Sequence, residues 1–230
     1  MQVLMLSSSR YADHPYLGYA QDMLKSHFAN ISELIFIPYA GVTLDYDDYT
    51  QKVQEALPWL NVTGLHTTSD PVAAVNHAQA IAVGGGNTFH LLHELYALQL
   101  IEPIQTKVKA GMPYAGWSAG SNICGASIRT TNDMPIIEPP SFAALGFLPF
   151  QLNPHYSDYH PPGFHGETRD QRLQEFCVVN PSTPVVAIRE GSALKLDGKR
   201  LTLEGDLDGF IFLGQDKIPV AAQSDLSHLL

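Results

Sequence analysis

Pro113-Tyr-Ala-Gly-Trp-Ser-Ala-Gly-Ser121 sets the frame for the whole chain. Pro113 to Gly116 is short and apolar and reads as a buried strand, while the small residues Ala119 to Ala126 read as a helix. Between them lies Gly116-Trp117-Ser118-Ala119-Gly120, a G-x-S-x-G pattern. A chain that turns sharply from strand into helix holds its turn residue in a strained conformation, and glycines flank it because a Cβ there would clash. Ser118 would then present its hydroxyl at the sheet edge, with the Ala119 N–H facing a developing oxyanion. The plain alternative is a serine in a Gly-rich turn. The strand before it and the helix after it favour a nucleophile.

On the N-terminal side, Gln2–Ser7, Leu34–Pro38, Val62–His66 and Ala80–Val83 read as strands. Tyr16–Ala29, Asp45–Leu60, Val72–His77, Phe89–Leu98 and Glu102–Ala110 read as helices, with Asp45 or Asp47 and Asp70-Pro71 as starts and Gly111 as a stop. This alternation argues a mostly parallel sheet covered by helices on both faces, which binds ligands at the carboxyl ends of its strands. Three polar clusters fall at such ends: Gly84–Thr88, Ser118 and His155. The C-terminal side is less regular. Phe147–Asn153 reads as a strand leading into Pro154-His155, Tyr156–Gly166 as a loop rich in His, Pro and aromatics, and Glu167–Val179 as a helix. Val185–Ile188 reads as a strand ending at Arg189-Glu190-Gly191. A meander follows from Ser192, turning at Asp197-Gly198 and continuing through Arg200–Glu204, Phe210–Leu213 and Ile218–Ala221. With no repeat or linker, one domain over residues 1–230 is the simplest organisation.

Composition narrows the function. At 230 residues and 45% hydrophobic content, the chain can bury a large core. Its 13 Lys and Arg against 23 Asp and Glu give a formal net charge of -10, which disfavours nucleic acid and anionic membrane surfaces as partners. No apolar run approaches the ~20 residues that span a bilayer. Met1–Ser7 lacks the basic start and cleavage site of a signal peptide, and the two cysteines, Cys124 and Cys177, make no disulfide framework. A cytoplasmic location is expected.

A serine hydroxyl needs a base, usually a histidine oriented by a carboxylate. Of ten histidines, five (His27, His66, His77, His90 and His93) lie in or near regular elements, whereas His155 follows a strand and a proline, on the functional rim. A surface-loop histidine is the alternative there. Two carboxylates compete as the orienter. Asp133 sits in Thr131-Asn132-Asp133-Met134-Pro135, where an Asx-turn is common, and Glu190 sits at a strand end, where a solvated charge is common. Gly84-Gly85-Gly86-Asn87-Thr88 offers bare N–H groups at a helix start, so Gly85 or Gly86 could donate to an oxyanion; a structural turn is the other reading. It is neither the dinucleotide fingerprint, since the spacing fails at Phe89, nor a phosphate loop, since no Gly-Lys-Ser/Thr follows. His155, Asp158, His160 and His165 match no zinc spacing, so neither metal nor cofactor is expected.

Taken in order, Phe36-Ile-Pro-Tyr-Ala-Gly-Val-Thr43, Val83–Phe89, Gly116–Gly120, Ile128-Arg-Thr-Thr-Asn-Asp-Met-Pro-Ile136, Asn153-Pro-His155 and Gly166-Glu-Thr-Arg169 resemble the peptidase E family of α-aspartyl dipeptidases. The likeness runs from near the N-terminus to about Glu190 and is far more specific than G-x-S-x-G alone; the C-terminal meander is only loosely similar. It implies a three-layer α/β sandwich with a mostly parallel central sheet, similar to class I glutamine amidotransferases, plus a C-terminal β meander. It also implies a serine peptidase that cleaves dipeptides with an N-terminal aspartate, Asp-X. Ser118 falls on the family's nucleophile and His155 on its base, while either Asp133 or Glu190 fits the third member. Asn87 and Arg169 match substrate-gripping positions. A guanidinium suits an aspartyl carboxylate, because a bidentate pair offsets the long-range repulsion from an acidic chain. A related hydrolase of cyanophycinase-like type, cutting β-aspartyl linkages, or a non-catalytic binder of the same fold are the alternatives. The oligomeric state is left open.

Overall fold

Strands β1 (Gln2–Leu6), β2 (Glu33–Ile37), β3 (Asn61–Gly64), β4 (Ile81–Val83) and β5 (Tyr114–Trp117) run parallel in the order β3-β2-β4-β5-β1. The coordinates, a computed structural model, describe residues 1–163 and 165–230. Parallel strands are covered on both faces, and their alternate residues are apolar on both. Leu4 and Leu6 join a core with α1 (Gln21–His27) and α2 (Tyr46–Ala56). Val3 and Met5 join the opposite core with α3 (Pro71–His77), α4 (Thr88–Ala97) and α5 (Ile101–Lys109).

Three local signals, at Asp45, Asp70 and Gly111, hold. Asp45 accepts hydrogen bonds from the N–H groups of Asp47 and Asp48, and Asp70 accepts from Ala73 with Pro71 at the first helical turn. Gly111 (φ 110°) closes α5: its N–H bonds to Val108 and the next N–H to Lys107, the paired bonds of a left-handed helix stop. The expected helix from Tyr16 starts only at Gln21, because Leu17 takes a left-handed conformation (φ 56°) ahead of a 3₁₀ turn at Gly18–Ala20.

The C-terminal half departs from a single sheet. The expected strand 147–153 shortens to β6 (Gln151–Asn153), since Phe147 and Leu148 bond back to the Cys124 carbonyl. The strand β6 pairs in parallel with β7 (Val185–Ala187), and the meander divides between two sheets. Of its strands, β8 (Ala193–Asp197) and β9 (Arg200–Glu204) extend the central sheet antiparallel beyond β1, joined by a tight turn at Gly198. The other two, β10 (Gly209–Leu213) and β11 (Asp216–Val220), complete a second sheet of order β11-β10-β7-β6. One face of that sheet shares the α4-side core through Leu152, Val186 and Ile211. The other is covered by Leu173 and Cys177 of α7 (Arg169–Val179), which opens with a Thr168/Gln171 capping box.

Candidate active site

Ser118 stands where β5 turns into α6 (Ala119–Asn122). The helix is one turn, not the eight residues expected, because its bonds tighten to i→i−3 at Cys124 and Gly125 and Ala126 then leaves to pair with Phe150. Ser118 has φ 54° and ψ -113°, a left-handed conformation that costs roughly 1–3 kcal/mol and persists only where the surroundings enforce it. The enforcement is steric. A methyl built on Gly116 would overlap the Gly120 carbonyl, and one built on Gly120 would overlap the Val83 carbonyl. The elbow is therefore wedged between β4 and β5, with its N1 amide, Ala119 N–H, lacking an intrahelical acceptor.

Gly85 and Gly86 border the same point. A Cβ on Gly85 would lie 2.9 Å from that of Ser118, so the turn passes directly beside it. Tyr49 Oη donates to the Gly85 carbonyl at 2.9 Å and accepts from Trp117 Nε1 at 3.3 Å. With that carbonyl fixed toward Tyr49, the N–H of Gly86 across the same trans peptide points the opposite way. Asn87 caps α4 through its side-chain oxygen, bonding His90 N–H, while its Nδ2 holds the Met134 carbonyl.

His155 arrives from the second sheet. It too is left-handed (φ 54°), and hydrogen bonds hold it. Its N–H donates to the Ser7 hydroxyl at 2.8 Å, and that hydroxyl donates to the Ile188 carbonyl at 2.9 Å. Ser7 is wholly buried at the end of β1 and so clamps the ends of β6 and β7 to the central sheet. Pairing of Asn153 with Ala187 carries the register forward, bringing His155 alongside the Arg189-Glu190 turn. There His155 Nδ1 meets Glu190 Oε1 at 2.5 Å. With side chains 36% and 53% exposed, the pair contributes little as a surface salt bridge; a neutral ring whose Nδ1 donates to this carboxylate has Nε2 as its acceptor nitrogen. Asp133 lies elsewhere: its Oδ2 accepts from Thr88 N–H (2.7 Å), Thr88 Oγ1 (2.5 Å) and Thr131 Oγ1, an anion at the positive end of α4.

Ser118, His155, Gly85, Gly86 and Asn87 line one cleft of about 570 Å³, so the two sheets converge on it. Arg169 does not line it. The guanidinium is half-buried and feels Asp133 and Tyr156; burial lowers its pKa, with Arg172 adding and Asp133 opposing, and its Nη1 is buried with no hydrogen-bond partner among the described residues. Asp158 is engaged by a two-pronged bond from Arg189, and among the described residues no three His, Cys, Asp or Glu side chains gather as a metal site would need. Sequence reading missed Ser7, Tyr49 and Lys52, the last two of which line the cleft. Nothing local marks them, since each acts across more than 30 residues.

A model of peptidase family S51 matches residues 3–204. The chain belongs to that family. Its relatives include proteins named peptidase E from Shewanella amazonensis (57% identical, covering 100% of this chain and 99% of the relative) and Shewanella oneidensis (55%, with the same coverage). Like other members of S51, the protein is a peptidase, a hydrolase of the serine type. Two solved structures share its fold. One is a peptidase from an acI-B1 Actinobacterium (TM-score 0.72, 17% identical, 98% of this chain and 96% of that one). The other is a chain from Listeria monocytogenes EGD-e described as a candidate peptidase E (TM-score 0.68, 23% identical, 89% and 98%). Among the described residues no helix is long and apolar enough to cross a membrane.

Proposed function

We propose that the S51 peptidase is a dipeptidase acting on Asp-X through an acyl-enzyme on Ser118, with His155 as base and Glu190 as its orienter. The observation that carries the reading is the 2.5 Å contact of His155 Nδ1 with Glu190 on the rim of the cleft that holds Ser118. His155 Nε2 takes the Ser118 proton as Oγ attacks the scissile carbonyl. The oxyanion is met by the N–H of Ala119 and that of Gly86 or Gly85. His155 then returns the proton to the leaving amine, and a water, deprotonated by the same ring, cleaves the aspartyl ester. Asp133 braces the start of α4 and, through Asn87 and Met134, the wall of the cleft. Arg169 would take the aspartyl side chain: a half-buried guanidinium with an unpaired Nη1 gains an acceptor when a carboxylate arrives. The activity is placed in the cytoplasm, in peptide breakdown, on one domain spanning residues 1–230.

Hydrolysis of Asp-Leu, Ala-Leu and β-Asp-Leu by wild type, Ser118→Ala and Arg169→Ala tests this. Wild type should cut Asp-Leu in preference, with or without chelator. Ser118→Ala should lose turnover by up to about 10⁶-fold, and Arg169→Ala should lose the preference for Asp over Ala. Near-normal turnover by Ser118→Ala would remove the mechanism. Faster cleavage of β-Asp-Leu would move the protein to the cyanophycinase-like class.

A further inference from the structure

The cleft has a charge pattern that the catalytic groups do not explain. Among the described residues no Asp or Glu lines it, Glu190 reaching only its rim through His155, and Lys52 is the one Lys or Arg that does. Lys52 projects from α2, half-buried, with its Nζ 4.6 Å from the centre of the Tyr16 ring and no carboxylate within ion-pair distance among the described residues. In a chain carrying a net charge of -10, an unpaired ammonium beside a cleft wall free of acids is a local anion site. The aromatic face beneath it restricts where the stem can go without neutralising it.

Its position relative to Ser118 says which anion. The central sheet has two faces, and Ser118 sits on the edge between them. Lys52 and Tyr16 rise on the face covered by α1 and α2, whose core includes Leu17, Tyr49, Val53 and Trp117. Asp133 and the start of α4 lie on the other face, and Arg169 senses Asp133. A dipeptide laid across the edge with its scissile carbonyl at Ser118 therefore sends its two ends to opposite faces. If the aspartyl residue turns toward Arg169, the leaving residue turns toward Lys52.

We infer that Lys52 binds the α-carboxylate of the leaving residue, and so makes the enzyme select peptides that end one residue after the scissile bond. This rests on the dipeptidase reading and adds to it a specificity-determining group for chain length. The contact is formed by substrate and lost only with product, so it strengthens binding without altering the chemical step.

The test compares Asp-Leu with Asp-Leu amide, which keeps the aspartyl residue and the scissile bond but replaces the terminal carboxylate. Wild type should favour the free acid by roughly 10-fold or more in kcat/KM, the value of a charge-assisted contact. Lys52→Met should raise KM for Asp-Leu by that factor, hold kcat within about 2-fold, and treat acid and amide alike; Lys52→Arg should keep most of the preference. Equal loss on both peptides in Lys52→Met would place Lys52 at the aspartyl end or in the fold and overturn the assignment, as would an unchanged KM for Asp-Leu. A wild type that cuts neither peptide would remove the dipeptidase reading and this inference with it.

Discussion

Ser118 and His155 are both left-handed residues at the ends of strands, yet they are held in opposite ways. Ser118 belongs to the central sheet and is wedged by backbone: glycines on either side leave space that any methyl would fill. His155 belongs to the second sheet and is tethered by hydrogen bonds to Ser7 and Glu190. A wedge fails all at once, and it fails as folding. A tether loosens by degrees, and it fails as chemistry in a protein that is still folded. Substitutions around the two residues should therefore separate stability from turnover.

Short of removing Ser118 itself, the largest effect on turnover is expected on the tether. On the proposed mechanism Glu190→Gln removes the charge that orients His155 and stabilises the imidazolium, and kcat should fall by about 10³–10⁴-fold with little change in unfolding midpoint. Asp133→Asn should do the reverse. Its carboxylate takes three hydrogen bonds at the start of α4, so the urea midpoint should drop while kcat falls less. If Asp133→Asn proved the more damaging to kcat at equal stability, the orienting role would pass to Asp133. The wedge gives the next effect. Gly120→Ala drives a methyl into the Val83 carbonyl, and a loss of about 3 kcal/mol or more of stability is expected from urea unfolding. A folded, inactive Gly120→Ala protein with unchanged midpoint would show that the elbow bends and is not wedged.

The same difference explains what the sequence could convey. The wedge is written locally: Gly116, Ser118 and Gly120 are neighbours in the chain, and the runs before and after them declare strand and helix. Parallel strands with both alternate faces apolar, such as Val3–Leu6, are legible for the same reason. The tether is not local. The strand β6 is three residues long with polar ends, Gln151 and Asn153, buried by bonds to Ser127 and Thr130, so the apolar run 147–153 signals a strand and its end at Asn153 but not where it starts. His155 and Glu190 could each be placed at a strand end, but their meeting depends on the β6–β7 register, and their attachment to the central sheet on Ser7, 148 residues away. Splitting of the meander between two sheets has the same origin: Gly198 announces a hairpin, and nothing nearby says which sheet each arm will join.

Ser7 holds His155 one residue after Leu6, whose carbonyl accepts the Ser118 N–H, and it gives the smallest and most discriminating effect. Ser7→Ala deletes one buried hydroxyl that accepts from His155 N–H and donates to the Ile188 carbonyl, leaving the His155 N–H unpaired and the Ile188 carbonyl with only its bond from Tyr156 N–H. A stability loss of about 1–3 kcal/mol is expected, and any variant that strips a buried hydroxyl shares that much. Thr130→Ala supplies the comparison, because Thr130 Oγ1 is also buried and donates to the Leu152 carbonyl, in the body of the same strand. If the hydroxyl of Ser7 positions His155, then at a temperature where both variants are folded Ser7→Ala should lose roughly 10-fold in kcat while KM holds, and Thr130→Ala should keep kcat within about 2-fold. Matching kcat values in the two variants would mean that Glu190 alone fixes the ring, and that the clamp between the sheets serves the fold without reaching the chemistry.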